Sequence, residues 1–207
     1  MKRIFFSILG ICAILLASCN SGNDKNNHEG HEMNKDTVQP ATVEDNKDVK
    51  VVPVIYNNVD AKAAASIKEI VGHYLHIKNA LVNDNGSEAA AGAKAMGNVI
   101  NKFDKSLLTS EQKKEYDAIE EDLKEHAEHI GKNADNIKHQ RSHFSMMSED
   151  VYDLAKAFGA GRALFHDHCP MFNENKGAMW LSETKEIHNP YLGAEMPTCG
   201  SVEELIK

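Results

Sequence analysis

The sequence predicts an all-α domain, an antiparallel up-down four-helix bundle with an irregular C-terminal tail packed on it. Three observations carry that expectation. From about residue 60 to residue 158 apolar side chains recur every three or four positions, the period of one helix face. The stripes are separated by short polar turns, and helices joined by short connections pack antiparallel to their neighbours. After Phe165 the periodicity gives way to Gly, Pro and Asn. A tail of about forty residues with little regular structure is unusual in a compact domain and points to function or cross-linking.

The first helix is carried by Ile67, Ile70, Tyr74, Ile77 and Leu81 and closed by Asn83-Asp84-Asn85-Gly86, a turn-forming run. Ser87 is placed to cap the second, an alanine-rich helix with Met96, Ile100 and Phe103 inward. Its Gly92 and Gly97 weaken helix propensity. Thr109 followed three residues later by Gln112 has the spacing of a capping box, and Tyr116, Ile119, Leu123 and Ile130 form the stripe of the third helix. Gly131-Lys132-Asn133 breaks it. Ile137, Phe144, Met147, Val151, Leu154 and Phe158 then mark a fourth helix, ended by Gly159 and Gly161. Trp180, the single tryptophan, is expected to pack the tail onto the bundle.

Ahead of the bundle the chain reads as a targeting segment and a tether. Lys2-Arg3 precede an apolar run from Ile4 to Ala17, the length of a secretory core and short for a permanent membrane span. Leu16-Ala17-Ser18-Cys19 resembles a bacterial lipobox. Residues 1–18 are therefore expected to leave as a signal peptide, with Cys19 lipidated and holding the protein to a membrane of the cell envelope. Residues 19–59 form a polar tether, too poor in bulky apolar side chains to offset chain entropy. It contains His28-Glu29-Gly30-His31-Glu32-Met33, a loose metal-capture sequence or a chance pair of histidines, and Val51-Val52-Pro53-Val54-Ile55-Tyr56, an extended segment able to dock. Residues 60–207 make one domain.

Losing Lys2 and Arg3 takes the formal net charge from −8 to −10. Nucleic-acid binding demands basic patches, so that class of partner is excluded. Of the four cysteines, Cys12 leaves with the signal segment and Cys19 carries lipid, so that Cys169 and Cys199 remain for chemistry in an oxidising compartment.

Four stretches of the tail carry a resemblance: Cys169-Pro170-Met171, Lys176 to Ser182, Ile187 to Gly193, and Met196 to Gly200. Together with His139 to Phe144 and Ser148, they make residues 60–207 resemble the uncharacterised DUF3347 domain family. Members of that family are typically secreted or lipid-anchored, and the domain is also found on adaptor proteins of copper and silver efflux pumps. The resemblance implies heavy-metal handling, with such adaptors as partners. Cys169-Pro170-Met171 is also similar to the Cys-Pro-Met core of small heavy-metal-binding modules.

Cuprous ion prefers thiolate and thioether donors and accepts imidazole. The expected metal ligands are Cys169 and Met171 at one end of the tail and Met196 and Cys199 at the other, completed by His168 or His166, with His143 facing the tail from the fourth helix. The competing reading is a Cys169–Cys199 disulfide, worth about 3 to 4 kcal/mol for a loop of this length, in a tail that serves as a docking surface and binds no metal. His73 with His76, and His126 with His129, are i,i+3 pairs on helices. No enzyme motif accompanies these residues: Cys-x-x-Cys, Gly-rich phosphate loops and helical Glu-x-x-His pairs are all absent from the sequence. The protein is therefore expected to be non-enzymatic.

Overall fold

A computed structural model describes residues 49–207. The expected signal segment, the lipidation site Cys19 and the His28–Met33 stretch lie outside the described residues.

The four predicted helices are present as α1 (Ala61–Val82), α2 (Gly86–Asn101), α3 (Ser110–Lys132) and α4 (Ile137–Phe158). Each starts on a side-chain cap, which satisfies amide groups that a helix leaves orphaned at its first turn. Asp60 accepts from the N–H groups of Lys62 and Ala63, and Asn136 accepts from that of His139. Thr109 and Gln112 form the capping box their spacing predicts. The cap of α2 is Asn85 rather than Ser87. Gly92 leaves α2 unbroken, because its missing side chain lets α1 come close: a Cβ there would lie 3.0 Å from Ile77 Cγ1.

The all-α expectation is overturned by a four-stranded mixed sheet, which makes the architecture α+β. Its strands are β1 (Lys50–Val52), β2 (Leu164–Cys169), β3 (Ala178–Ser182) and β4 (Ser201–Ile206). They lie in the order β1-β4-β2-β3, with β1 parallel to β4 and the other pairs antiparallel. The tail read as irregular therefore supplies three strands. Local pattern hides them for identifiable reasons. A register shift in β2 between His166 and Asp167 breaks its alternation, and Trp180, Leu181 and Ser182 of β3 are buried in succession. The pairing partner of β1 lies at the far end of the chain, where no local pattern reaches.

Burial of the sheet against the bundle centres on a hydroxyl network. The Tyr74 hydroxyl of α1 lies 2.8 Å from Ser148 Oγ of α4 and accepts from the Leu181 N–H of β3 at 2.9 Å. The Tyr191 hydroxyl reaches Ser148 Oγ at 3.3 Å and donates to the Met179 carbonyl. Ser148 donates to the Phe144 carbonyl of its own helix at 2.8 Å. Burial raises the pKa of both tyrosines, so they act as neutral phenols. Around the network Tyr74 stacks on Phe144, and Trp180 meets Tyr191 edge-on.

A second tie uses Arg141 of α4, which donates to the Pro190 and Leu81 carbonyls and to Asp84 Oδ1 at 2.8, 2.9 and 2.6 Å. Gly193, at φ 50°, is required beside it, since a Cβ would collide with Asp84. Asn189 closes the loop, accepting from the Tyr191 and Leu192 amides and donating to the Cys199 carbonyl.

The register shift in β2 also turns Asp167 inward, where it is fully buried with neither carboxylate oxygen hydrogen-bonded. Burial lifts its pKa to about 7, opposed by the charge of buried Lys78.

Two predictions follow from this packing. Tyr74→Phe strands the Leu181 amide, takes one of its partners from Ser148 and is expected to cost about 1 to 3 kcal/mol in denaturant unfolding. Because the folded pKa of Asp167 is raised, the folded state holds its proton more tightly than the unfolded chain, and stability falls as pH rises from about 4 to about 7. Asp167→Asn is expected to flatten that segment of a stability–pH profile, gaining roughly 1 to 3 kcal/mol at pH 7.5 and little at pH 4.

Candidate metal centre

The antiparallel hairpin of α3 and α4 brings four histidines together. His126 and His129 lie one turn apart near the end of α3, and His139 and His143 lie one turn apart at the start of α4. A short connection, from Asn133 to Asn136, folds one helix back on the other. The pairs therefore match across the hairpin. His129 Nδ1 lies 3.2 Å from His139 Nε2, and His126 Nδ1 lies 3.2 Å from His143 Nδ1. Each contact is satisfied by one neutral ring donating and the other accepting. His129 also stacks on His143, with ring centroids 4.1 Å apart.

Three of these rings, His129, His139 and His143, offer nitrogen donors that all lie within 4.8 Å of one another. It is the one such group of three or more His, Cys, Asp or Glu residues among the described residues. The cluster could hold a metal ion. Metal–imidazole bonds of about 2.0 to 2.1 Å put neighbouring nitrogens roughly 3.3 to 3.6 Å apart in tetrahedral or trigonal coordination. The observed donors, up to 4.8 Å apart, would close by at most roughly 1.2 to 1.5 Å to reach that span, and all three residues are half-buried.

Electrostatics favour the arrangement. Burial first, and then the three neighbouring imidazoles, lower the pKa of His143 to about 4, so its lone pair is free at neutral pH. Burial lowers that of His126 as well, while Glu125, Asp122 and Glu149 place negative charge around it. Asp150 Oδ2, buried and without a hydrogen-bond partner, lies 3.8 Å from His126 Nε2. Burial and the acidic groups around it raise its pKa to about 7. Metal-bound histidines commonly donate their second ring N–H to such a carboxylate.

The ligands expected from the sequence divide differently. His143 belongs to the histidine cluster on the α3 side of its helix. Cys169 and Cys199 meet, with Sγ atoms 3.2 Å apart and both cysteines free. Met171 and Met196 are exposed, at 48% and 40%. His166 and His168 face away from buried Cys169, with His168 Nδ1 3.6 Å from Glu203 and His166 Nδ1 3.7 Å from Glu204. Sequence reasoning noticed all four clustered histidines but kept the two helices apart. The signal was present: 126 pairs with 143, and 129 with 139, about a common midpoint in the connection.

The low pKa of His143 has a measurable consequence. Unfolding takes up a proton there wherever pH lies below about 6.5, so the stability gained from its neutral form is complete above that value and is lost as pH falls toward 4. Replacing it by glutamine is expected to flatten the acid limb of a melting-temperature–pH profile without altering the limb above pH 7.

Residues 70–163 match DUF3347, a family described as proteins of unknown function. The match covers the helices with the histidine cluster and ends before the tail, whose motifs carried much of the resemblance. No curated protein and no solved structure matches the chain. From the third turn of α1 to just past the end of α4 the sequence is that of a DUF3347 segment.

Proposed function

We propose that this protein is a non-enzymatic, lipid-anchored component of the cell envelope that binds a heavy-metal ion, copper foremost, in support of efflux or resistance. The observation that carries the reading is the convergence of His129, His139 and His143 from two helices onto one point. Three imidazoles without a thiolate suit borderline divalent ions such as cupric or zinc ion. The acidic surroundings of His126 draw cations toward the cluster. The lipobox-like Leu16–Cys19 supports anchoring through Cys19, and the link of the family to efflux adaptors supports the choice of copper and of such adaptors as partners.

When bound, the metal would supply a positive centre shared by the three rings; His126 and Asp150 would orient and neutralise the side nearest the core. No substrate cleft is required for capture and release.

The test is calorimetric titration of the full-length chain, its thiols blocked, with zinc and cupric ions at pH 7. One equivalent is expected to bind, with affinity reduced at least about tenfold by His143→Ala or His129→Ala, a loss of 1.4 kcal/mol or more. Binding that both variants leave unchanged would overturn the assignment.

A further inference from the structure

We propose that Cys169 and Cys199 form a second metal site, separate from the histidine cluster, that takes a soft monovalent ion of the cuprous or silver class. This goes beyond the histidine reading and stands independently of it.

Strand pairing and a tight turn bring the two sulfurs together. Cys169 closes β2, pairs with Ala178 of β3 and is fully buried. Cys199 ends a turn in which its own N–H bonds the Met196 carbonyl at 3.2 Å, and its carbonyl accepts from the Asn189 side chain at 2.6 Å. Gly200, at φ 140°, lets this turn press onto β2. A Cβ there would stand 2.8 Å from the Trp180 ring and 2.9 Å from the His168 carbonyl. The approach of the two thiols is thus fixed by backbone hydrogen bonds and a glycine that admits no side chain, with no covalent link needed.

The spacing leaves the pair unbonded and within reach of one shared ion. The sulfurs stand 3.2 Å apart. A disulfide of about 2.05 Å would need them to close by roughly 1.1 Å. Two metal–sulfur bonds of about 2.3 Å span roughly 3.8 Å at a tetrahedral angle and roughly 4.6 Å when the ion has these two ligands alone and lies between them, an opening of about 0.6 to 1.4 Å. A soft ion displaces thiol protons, whereas harder divalent ions prefer oxygen and imidazole donors. Half-buried Cys199 gives the ion its way in, while Cys169 is buried.

Binding is balanced as two thiols plus one monovalent cation giving a dithiolate complex and two protons. No electron is transferred.

The test uses the full-length chain, reduced and metal-free, competing with a chromophoric chelator for cuprous ion under anaerobic conditions. One equivalent is expected to be withheld from the chelator, unaffected by His129→Ala/His143→Ala and weakened at least tenfold by Cys199→Ser. X-ray absorption of the cuprous-loaded chain, which does not depend on any variant folding, is expected to show two sulfur scatterers. A nitrogen-only shell, or loss of the equivalent in the histidine variant with retention in Cys199→Ser, would overturn the proposal. So would a Cys169–Cys199 disulfide in protein taken from the cell that persists under mild reductant. Failure of the zinc and cupric titration, by contrast, bears on the histidine cluster alone.

Discussion

The Ser148 hydroxyl is the point on which the rest of the molecule depends. It accepts from the Tyr74 phenol, lies 3.3 Å from the Tyr191 hydroxyl and returns a bond to its own helix. Those tyrosines in turn hold the Leu181 amide and the Met179 carbonyl of β3. A buried polar group is costly unless it is paired, and a network with every member paired specifies one arrangement of the elements that contribute to it. Here these elements are α1, α4, β3 and the loop before β4. The sheet cannot slide on the bundle without leaving several buried groups unpaired at once. Arg141 repeats the same logic at the surface end of that seam, joining α1, α4 and the C-terminal loop.

With α4 fixed in this way its two long sides are assigned to different work. Phe144, Met147 and Ser148 face the core and the sheet. His139 and His143 face α3, where His126 and His129 meet them. Burial, and after it the closeness of the neighbouring imidazoles, costs proton affinity, visible in the depressed pKa of His143. A helix pair that wanted only stability would fill this seam with apolar side chains. The donors instead remain half-buried beside unpaired Asp150, an arrangement whose cost a bound cation would relieve.

The tail motifs take on a structural meaning. The run from Lys176 to Ser182 contains β3. In Ile187 to Gly193, Asn189 ties the loop to itself, Pro190 offers its carbonyl to Arg141, Tyr191 enters the hydroxyl network, and Gly193 leaves room for the Asp84–Arg141 pair. In the last motif Pro197 accepts from the Asn189 amide, and Gly200 admits the turn against Trp180. Most of what looked like a ligand-bearing signature is the means by which the sheet is fastened to the helices. The thiols of Cys169 and Cys199 are what it leaves over for chemistry.

The sequence by itself determined the four helices, the capping box at Thr109, the turn after α1 and the pairing of two cysteines across the tail. The first three are local in period or spacing, and Cys169 and Cys199 are the two cysteines of the described residues. It also determined the histidine cluster in principle: once α3 and α4 are antiparallel with a short connection, positions 126 and 143, and 129 and 139, fall side by side. The sheet was decided only by the tertiary structure. Its strands are short, the alternation of β2 is broken by a register shift, and β1 pairs with a partner at the opposite end of the chain. Strand identity here resides in long-range hydrogen bonding, which leaves no local periodicity to read. The same reason governs the fate of the stretch His166-Asp167-His168-Cys169. Only the register shift decides that Asp167 and Cys169 turn into the core while the two histidines face the glutamates of β4.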